Sequence, residues 1–345
     1  MRIAVCTSQI PFEFGGTEIL ADALISHLRA WGHEAELVRV PLCWNHREEL
    51  LKSYLAWRLI NLKVSEGIPI DRLIALKFPA YVVPHPYKVT WLVHQLRQAY
   101  DLLGTEYSYF GNSAEDRELL DLIRRMDTRT IAESRHVFAI SYNVAKRLRE
   151  FNQVESETLY PPPALDGRYY NDGYGDYVLS VSRLNVLKRV NMLVRAMGLV
   201  KTPVRCRIVG RGDQLESLQE LARRVGAAER IDFLGFVSDE DALALYAKAL
   251  AVYYAPLDED YGLATVEAMK AQKAVLTAGG SGGVLEFVQD RATGMVAPPD
   301  DAAALAQCID ELYADRALAE RLGSAAQSKV AGITWDATIR RLLEV

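Results

Sequence analysis

The chain has 345 residues, about two ordinary domains, with 50% apolar residues, 25% charged residues and a formal net charge of −5. That balance describes a folded globular protein and argues against a nucleic-acid partner, which calls for a basic surface. No apolar run reaches the length of a membrane span, and the opening stretch, interrupted by Cys6, Thr7, Ser8 and Gln9, reads as a strand and not as a signal peptide. Cys6, Cys43, Cys206 and Cys308 lack metal-ligand spacing and are expected as reduced core thiols of a cytosolic protein.

In chain order, Arg2 to Cys6 predicts a strand that runs through Gly15, Gly16, Thr17 and Glu18 into an amphipathic helix ending at Trp31 and Gly32. Two glycines in that turn let the backbone approach a diphosphate or sugar, and a plain turn would use them as well. Further strands are expected near 34–40, 72–77, 88–94 and 136–141. His94 ends one of them, at the carboxyl edge where ligands bind in such sheets; a structural hydrogen bond is the other use of a histidine there. Lys77 and His85 lie nearby without an assigned role. The segment 46–63 mixes Leu50, Tyr54, Leu55, Trp57 and Leu59 with Arg47, Lys52, Arg58 and Lys63, and is the candidate for peripheral contact with the inner membrane face. Residues 1–160 hold 19 Lys and Arg against 20 Asp and Glu, so there is little basic pull toward a membrane, and a helix packed on the sheet is the preferred reading.

Pro161, Pro162 and Pro163 through Gly173 and Gly175 read as a hinge. Beyond it, strands are expected near 177–184, 204–210, 231–235, 251–256, 274–279 and 294–298, with helices between them, including 213–225 and 238–249. That alternation predicts a doubly wound parallel sheet. The domain reading is 1–165, 166–331 and a closing helical segment 332–345.

Two segments of the second half carry chemistry. Arg183 and Lys188 fall at a strand end and a helix start, where two cations suit a diphosphate. Gly262 opens a helix, so the N–H groups at Gly262, Leu263 and Ala264 form an anion site. Glu259 and Glu267 are eight positions apart, the first in the turn before that helix and the second inside it, where a carboxylate could accept hydrogen bonds from paired hydroxyls such as those of a ribose.

The spacing from Glu259 to Glu267 resembles the E-x7-E motif of the retaining family-four glycosyltransferases of GT-B fold. Ser182-Arg183-Leu184, with Lys188 five residues after the arginine, is similar to the family's G-R-L-x-x-x-K segment, with Ser182 in place of glycine. Ile208 to Asp213, which includes Arg211, then Ile231 to Val237, Gly279 to Gly283 and Glu286 to Val288 follow in the family's order. The resemblance is strongest over 176–300, and Gly15-Gly16 and Val93-His94 anchor it more weakly over 1–160. Gln272 and Ala274 depart from the glycine and proline frequent there.

The resemblance implies an α/β GT-B protein: two Rossmann-like doubly wound domains facing across a cleft, with the last helix, Thr334 to Leu343, crossing back onto the first. It implies transfer of a sugar from a UDP- or GDP-linked donor to an acceptor hydroxyl, on a glycan or lipid-linked acceptor, with the anomeric configuration kept. In that reading Arg183, Lys188 and the amides at Gly262 to Ala264 hold the diphosphate, and Glu259 and His94 contact the donor sugar. Glu267 takes the ribose, the backbone near Val237 meets the base, and Gly15, Gly16 and Arg211 complete the donor site. No cofactor is expected beyond the donor itself. Asp239-Glu240-Asp241 and Asp258-Glu259-Asp260 fit a D-x-D pattern, yet one opens a helix and the other lies inside the E-x7-E, so neither is read as a metal site. A sugar-nucleotide 2-epimerase and a non-catalytic nucleotide-binding partner subunit are the alternatives.

Overall fold

The computed structural model of the chain describes residues 1–43 and 47–345. It divides into two compact units, Met1–Ala164 together with Thr334–Val345, and Leu165–Ile333. His46, the first residue of the segment 46–63, lies outside the described residues.

The first unit runs β1 (Arg2–Gln9), α1 (Gly16–Ala30), β2 (Glu34–Pro41), α2 (Arg47–Leu59), the short hairpin of β3 (Val64–Ser65) and β4 (Ile68–Pro69), β5 (Arg72–Ala75), β6 (Lys88–Leu92), α3 (Ala114–Ala132), β7 (His136–Ala139), α4 (Tyr142–Asn152) and β8 (Glu157–Thr158). Six strands form one sheet in the order β2-β1-β5-β6-β7-β8, and every pairing in it is parallel. Parallel sheets are covered on both faces, which is why β6 is buried along its whole length. The sheet grows outward from β1 on one side and from β5 on the other, so its switch point lies between those two strands.

Helix α2 buries Leu50, Ser53, Tyr54 and Trp57. Its two large aromatics are tied inside the fold, Trp57 Nε1 to Ser8 Oγ at 2.9 Å and Tyr54 OH to Asp127 Oδ1 at 2.6 Å. The apolar face is therefore spent on packing against the unit, although Leu55 and Leu59 stay exposed. Among the described residues no helix is long and apolar enough to cross a membrane.

The second unit runs β9 (Tyr177–Val181), α5 (Val190–Met197), β10 (Arg205–Val209), α6 (Leu215–Arg224), β11 (Ile231–Gly235), α7 (Asp239–Lys248), β12 (Ala251–Tyr253), α8 (Leu263–Lys270), β13 (Val275–Ala278), β14 (Gly294–Ala297), α9 (Ala302–Ala314) and α10 (Arg316–Val330). Its sheet order is β11-β10-β9-β12-β13-β14, again with parallel pairings, and its switch point falls between β9 and β12. Val178, Leu193, Ile208, Leu250, Leu276 and Ile309 are among the buried residues of the core that joins this sheet to its helices.

Helix α11 (Trp335–Leu343) groups with the first unit. Thr334 caps it, and Trp335, Ile339 and Leu342 are buried. Trp335 stacks on His27 with ring centroids 4.8 Å apart, Trp31 Nε1 donates to Asp336 at 3.0 Å, and the Arg72 guanidinium donates to the Leu342 carbonyl at 2.8 Å. All four cysteines are free thiols; Cys6 and Cys206 are buried in β1 and β10, whereas Cys43, just past the end of β2, is exposed and is not a core residue.

Candidate active site

The loop that leaves β9 is shaped by its own polar residues. Asn185 is extended, and its Oδ1 accepts from the Lys188 N–H at 3.2 Å, closing a 3-10 turn over Val186–Lys188. Arg189 follows in the left-handed region at φ 48°. Its guanidinium is buried and donates to the Ala255 carbonyl at 2.7 Å, the Pro256 carbonyl at 3.0 Å and Ser281 Oγ at 3.2 Å, while its own carbonyl accepts from Tyr253 OH at 2.7 Å. One side chain thus pins the β9 loop to the end of β12 and to the loop after β13.

This arrangement puts Lys188 and Glu259 together at the switch point. Lys188 Nζ lies 2.5 Å from Glu259 Oε2 and 3.1 Å from Tyr254 OH. The two charged side chains are 18% and 21% exposed, so the pair is partly open to solvent. Burial alone would lower the Lys188 pKa, but the Tyr254 hydroxyl and the Glu259 carboxylate outweigh it and hold the ammonium well above the usual lysine value. Sequence reading assigned the lysine to phosphate and the glutamate to sugar; the structure joins them as an ion pair.

Glycines let the backbone pack closely around that pair. Gly282 bridges to Glu259 in parallel fashion at φ +60°, and a Cβ there would stand 2.5 Å from the Glu259 carbonyl oxygen. Gly262 sits at φ +88° and turns the chain into α8, whose Leu263 and Ala264 N–H groups precede the intrahelical ladder. Gly210 and Gly212 flank Arg211, and side chains there would run into the Ser182 and Leu184 carbonyls at 1.8 and 2.1 Å. The loops after β9 and β10 therefore lie in contact, and the Leu184 N–H donates to the Arg211 carbonyl at 2.9 Å. The Arg211 guanidinium stands 6.0 Å from the ring centre of the exposed Phe236, which precedes Val237. Arg183 is exposed on the same β9 loop. Ser182, the departure from glycine, keeps its Oγ buried without a hydrogen-bond partner.

Glu267 lies farther along α8, half-buried, and its Oε2 accepts from Tyr246 OH at 2.8 Å. Burial raises its pKa, and the hydroxyls of Tyr246 and Tyr169 oppose the rise by hydrogen bonding to the carboxylate.

In the first unit the Gly15–Gly16 turn is built differently from the sequence reading. Gly15 is the extended N-cap of α1, and its N–H donates to Glu18 Oε2 at 3.0 Å. The helix uses this N–H for its own capping, so it is not presented to a diphosphate. Glu18 Oε1 in turn accepts from Lys77 Nζ at 2.8 Å, and both residues are buried. At Gly16 a Cβ would meet nothing within 4 Å, so the turn itself is open. His94 is half-buried two residues past β6, with its carbonyl accepting from the Phe78 N–H at 3.3 Å. Its Nδ1 lies 2.7 Å from the Gln95 carbonyl, which requires the proton on Nδ1 and leaves Nε2 as the basic nitrogen. A groove of about 530 Å³ opens between the ends of β1 and β2 and helix α2, lined by Ile10, Pro41, Leu42, Ser53 and Ala56 among others.

Two features of this unit escaped sequence reading. The Glu18–Lys77 pair had a signal, a glycine N-cap followed three residues later by glutamate. The buried carboxylate of Asp127, which accepts from Tyr54 and from Tyr100 OH at 2.7 Å, had none, because its two partners come from separate segments far from it in the chain. Burial raises the Asp127 pKa to about 7, although those hydroxyls pull it down. Among the described residues no group of three His, Cys, Asp or Glu side chains is placed to hold a metal ion.

Residues 171–329 match the family model for glycosyl transferases group 1. A similar curated protein is the GDP-mannose-dependent alpha-(1-6)-phosphatidylinositol monomannoside mannosyltransferase of Mycobacterium tuberculosis, 32% identical over 205 residues, 55% of this chain and 53% of that protein. The chain spans about half the length of the curated relatives it matches. Among solved structures, sucrose-phosphate synthase from Thermosynechococcus elongatus is similar with a TM-score of 0.79 at 18% identity, covering 100% of this chain and 98% of that one. Anabaena HepE, solved in complex with UDP and glucose, is similar with a TM-score of 0.74 at 16% identity, covering 100% and 99%. The two parallel α/β sheets are those of the GT-B fold, and residues 171–329 carry the similarity to the group 1 glycosyltransferases.

Proposed function

We propose that the protein transfers a sugar from a nucleoside-diphosphate sugar to an acceptor hydroxyl with retention of anomeric configuration. The observation that carries this reading is the partly open Lys188–Glu259 pair at the second unit's switch point, beside the helix opened by Gly262. Breaking the donor's glycosidic bond builds negative charge on the leaving phosphate and positive character on the sugar. Lys188, Arg183 and the N–H groups of Leu263 and Ala264 are the preorganised positive charge for the first. Glu259 holds donor-sugar hydroxyls and offsets the second. Glu267 takes the ribose, Arg211 and the backbone at Val237 serve the base end, and His94, through Nε2, contacts the donor sugar. The Gly16 turn and the groove beside α2 are assigned to the acceptor.

The donor is UDP- or GDP-linked, in line with the GDP-mannose-dependent relative and the UDP complex of the structural neighbour. The acceptor is a glycan or a lipid-linked glycan of cell-surface polysaccharide or glycolipid assembly, met at the cytoplasmic side. No resident cofactor or metal ion takes part, since side-chain cations and helix amides supply the positive charge that a divalent ion would bring.

The test is a thermal-shift panel of UDP-, GDP-, ADP- and dTDP-sugars, followed by turnover of the donor that binds, with and without EDTA. One donor class should stabilise the protein, by about 2.7 kcal/mol at a hundred times its dissociation constant. Transfer should survive the chelator, and proton NMR should show the product anomer unchanged from the donor. Formation of an epimer without acceptor, or tight binding without turnover, would reject transfer in favour of an epimerase or a binding subunit.

A further inference from the structure

Glu267 is held from two sides by tyrosines. Tyr246, on α7 and 2% exposed, donates its hydroxyl to Oε2 at 2.8 Å. Tyr169 comes up beside the same carboxylate from the segment that precedes β9, and the two rings meet edge-on at 6.0 Å and 77°. That segment is fastened across α7 and α8 at further points. Arg168 pairs with Glu240 at 3.0 Å in the first turn of α7, and Asp166 pairs with Lys270 at 2.6 Å, one turn beyond Glu267 on α8. Residues 166–169 thus form a strap that presses one tyrosine onto the carboxylate while α7 brings the other.

A carboxylate offers about four lone-pair directions. The Tyr246 hydroxyl takes one of them, and with the Tyr169 hydroxyl alongside it directions remain for a vicinal diol while the group's plane is held in a single orientation as the diol arrives. A carboxylate free to rotate would meet the same diol at an entropic penalty and with poorer angles. Replacing either tyrosine by phenylalanine removes one donor atom and leaves the ring packing in place.

Resting on the assignment of Glu267 to ribose, we propose that Tyr169 and Tyr246 are positioning residues that aim the Glu267 carboxylate at the ribose diol, so that this pair sets the preference for ribonucleoside over 2′,3′-dideoxynucleoside diphosphates. Neither tyrosine touches the donor.

Calorimetry with UDP, GDP and their 2′,3′-dideoxy counterparts, on the whole chain, tests the pair. The wild type should bind whichever ribonucleotide it accepts roughly 30-fold tighter than the dideoxy form, the size of one charge-assisted hydrogen bond. In Tyr169→Phe/Tyr246→Phe that ratio should fall to roughly threefold or less, with dideoxy affinity unchanged. The single variants, whose melting curves report folding, should fall in between. A ratio in the double variant equal to the wild-type ratio overturns the positioning role. Glu267→Ala separates the two levels: if it abolishes a wild-type preference that the tyrosine variants keep, only the positioning inference fails. If the wild type shows no preference, or binds neither nucleotide, the ribose assignment and the inference fall together.

Discussion

Both units carry a lysine–glutamate pair at the switch point of a parallel sheet, yet the pairs are used in opposite ways. In the first, Glu18 spans the Gly15 N–H and Lys77 Nζ, and the two side chains are 9% and 10% exposed. That pair closes the edge: its charges serve helix capping and the link to the loop after β5. In the second, Lys188 and Glu259 are about twice as exposed, and Gly262 and Gly282, both at positive φ, let the neighbouring loops pack closely beside them. The second switch point is the candidate site because its charged pair keeps more of its surface in solvent. Full burial of charge is common to both units, Asp127 and Lys88 in the first and Lys273 in the second.

Four experiments bear on this contrast. The largest effect is expected from Lys77→Met, which leaves the Glu18 carboxylate buried and unpaired. Breaking a buried pair from one side is destabilising by about 3–5 kcal/mol, readable as a lowered urea midpoint. Lys188→Met should leave that midpoint nearly unchanged, and an equal loss in both variants would erase the distinction between the pairs.

Asp127 gives the first unit a pH dependence of its own. Its folded pKa of about 7 lies above the usual carboxylate value of 3.8, so the folded state binds the proton more tightly than the unfolded chain. Stability from this group is complete below pH 4 and is lost as pH rises through 7, by at most about 4 kcal/mol. Melting curves of wild type and Asp127→Asn should show the wild type losing stability relative to the variant across that window. Parallel profiles would mean that the carboxylate does not titrate there.

For turnover, Lys188→Ala should lower kcat by roughly 10²- to 10³-fold, as expected for removal of a preorganised charge at a developing anion. Glu18→Gln, if folded, should retain most of the activity. The smallest and most discriminating effect concerns the two glutamates. Glu259→Ala should depress kcat while nucleotide affinity stays near wild type, and Glu267→Ala should raise donor KM and weaken binding of the free nucleotide by about 1.5–3 kcal/mol. Steady-state kinetics beside calorimetry separates them, and the same change in both variants would show that the two carboxylates act as one unit.

Much of the architecture was legible because it rests on local patterns. Largely apolar runs such as Tyr177 to Val181 and Val275 to Ala278 are what a strand buried on both faces needs, and helices elsewhere in the chain carry their own caps, Ser238 before α7 and Thr334 before α11. The helix opening at Gly262 was legible for the same reason, whereas the positive φ of Gly262 and Gly282 at close approach became apparent only in the structure. The spacing of Glu259 and Glu267, and the order of the motifs around them, carried the family resemblance through residues 171–329.

What the sequence left undecided depends on contacts between distant segments. Lys188 and Glu259 are 71 positions apart, Glu18 and Lys77 are 59 apart, and Tyr246 and Glu267 meet from neighbouring helices. Periodicity and caps act over a few residues, so they settle which segments become strands and helices. Whether a charged side chain is spent on a buried partner or kept partly open is decided only when the sheet order brings two loops side by side, because the desolvation of a charge is a property of everything packed around it.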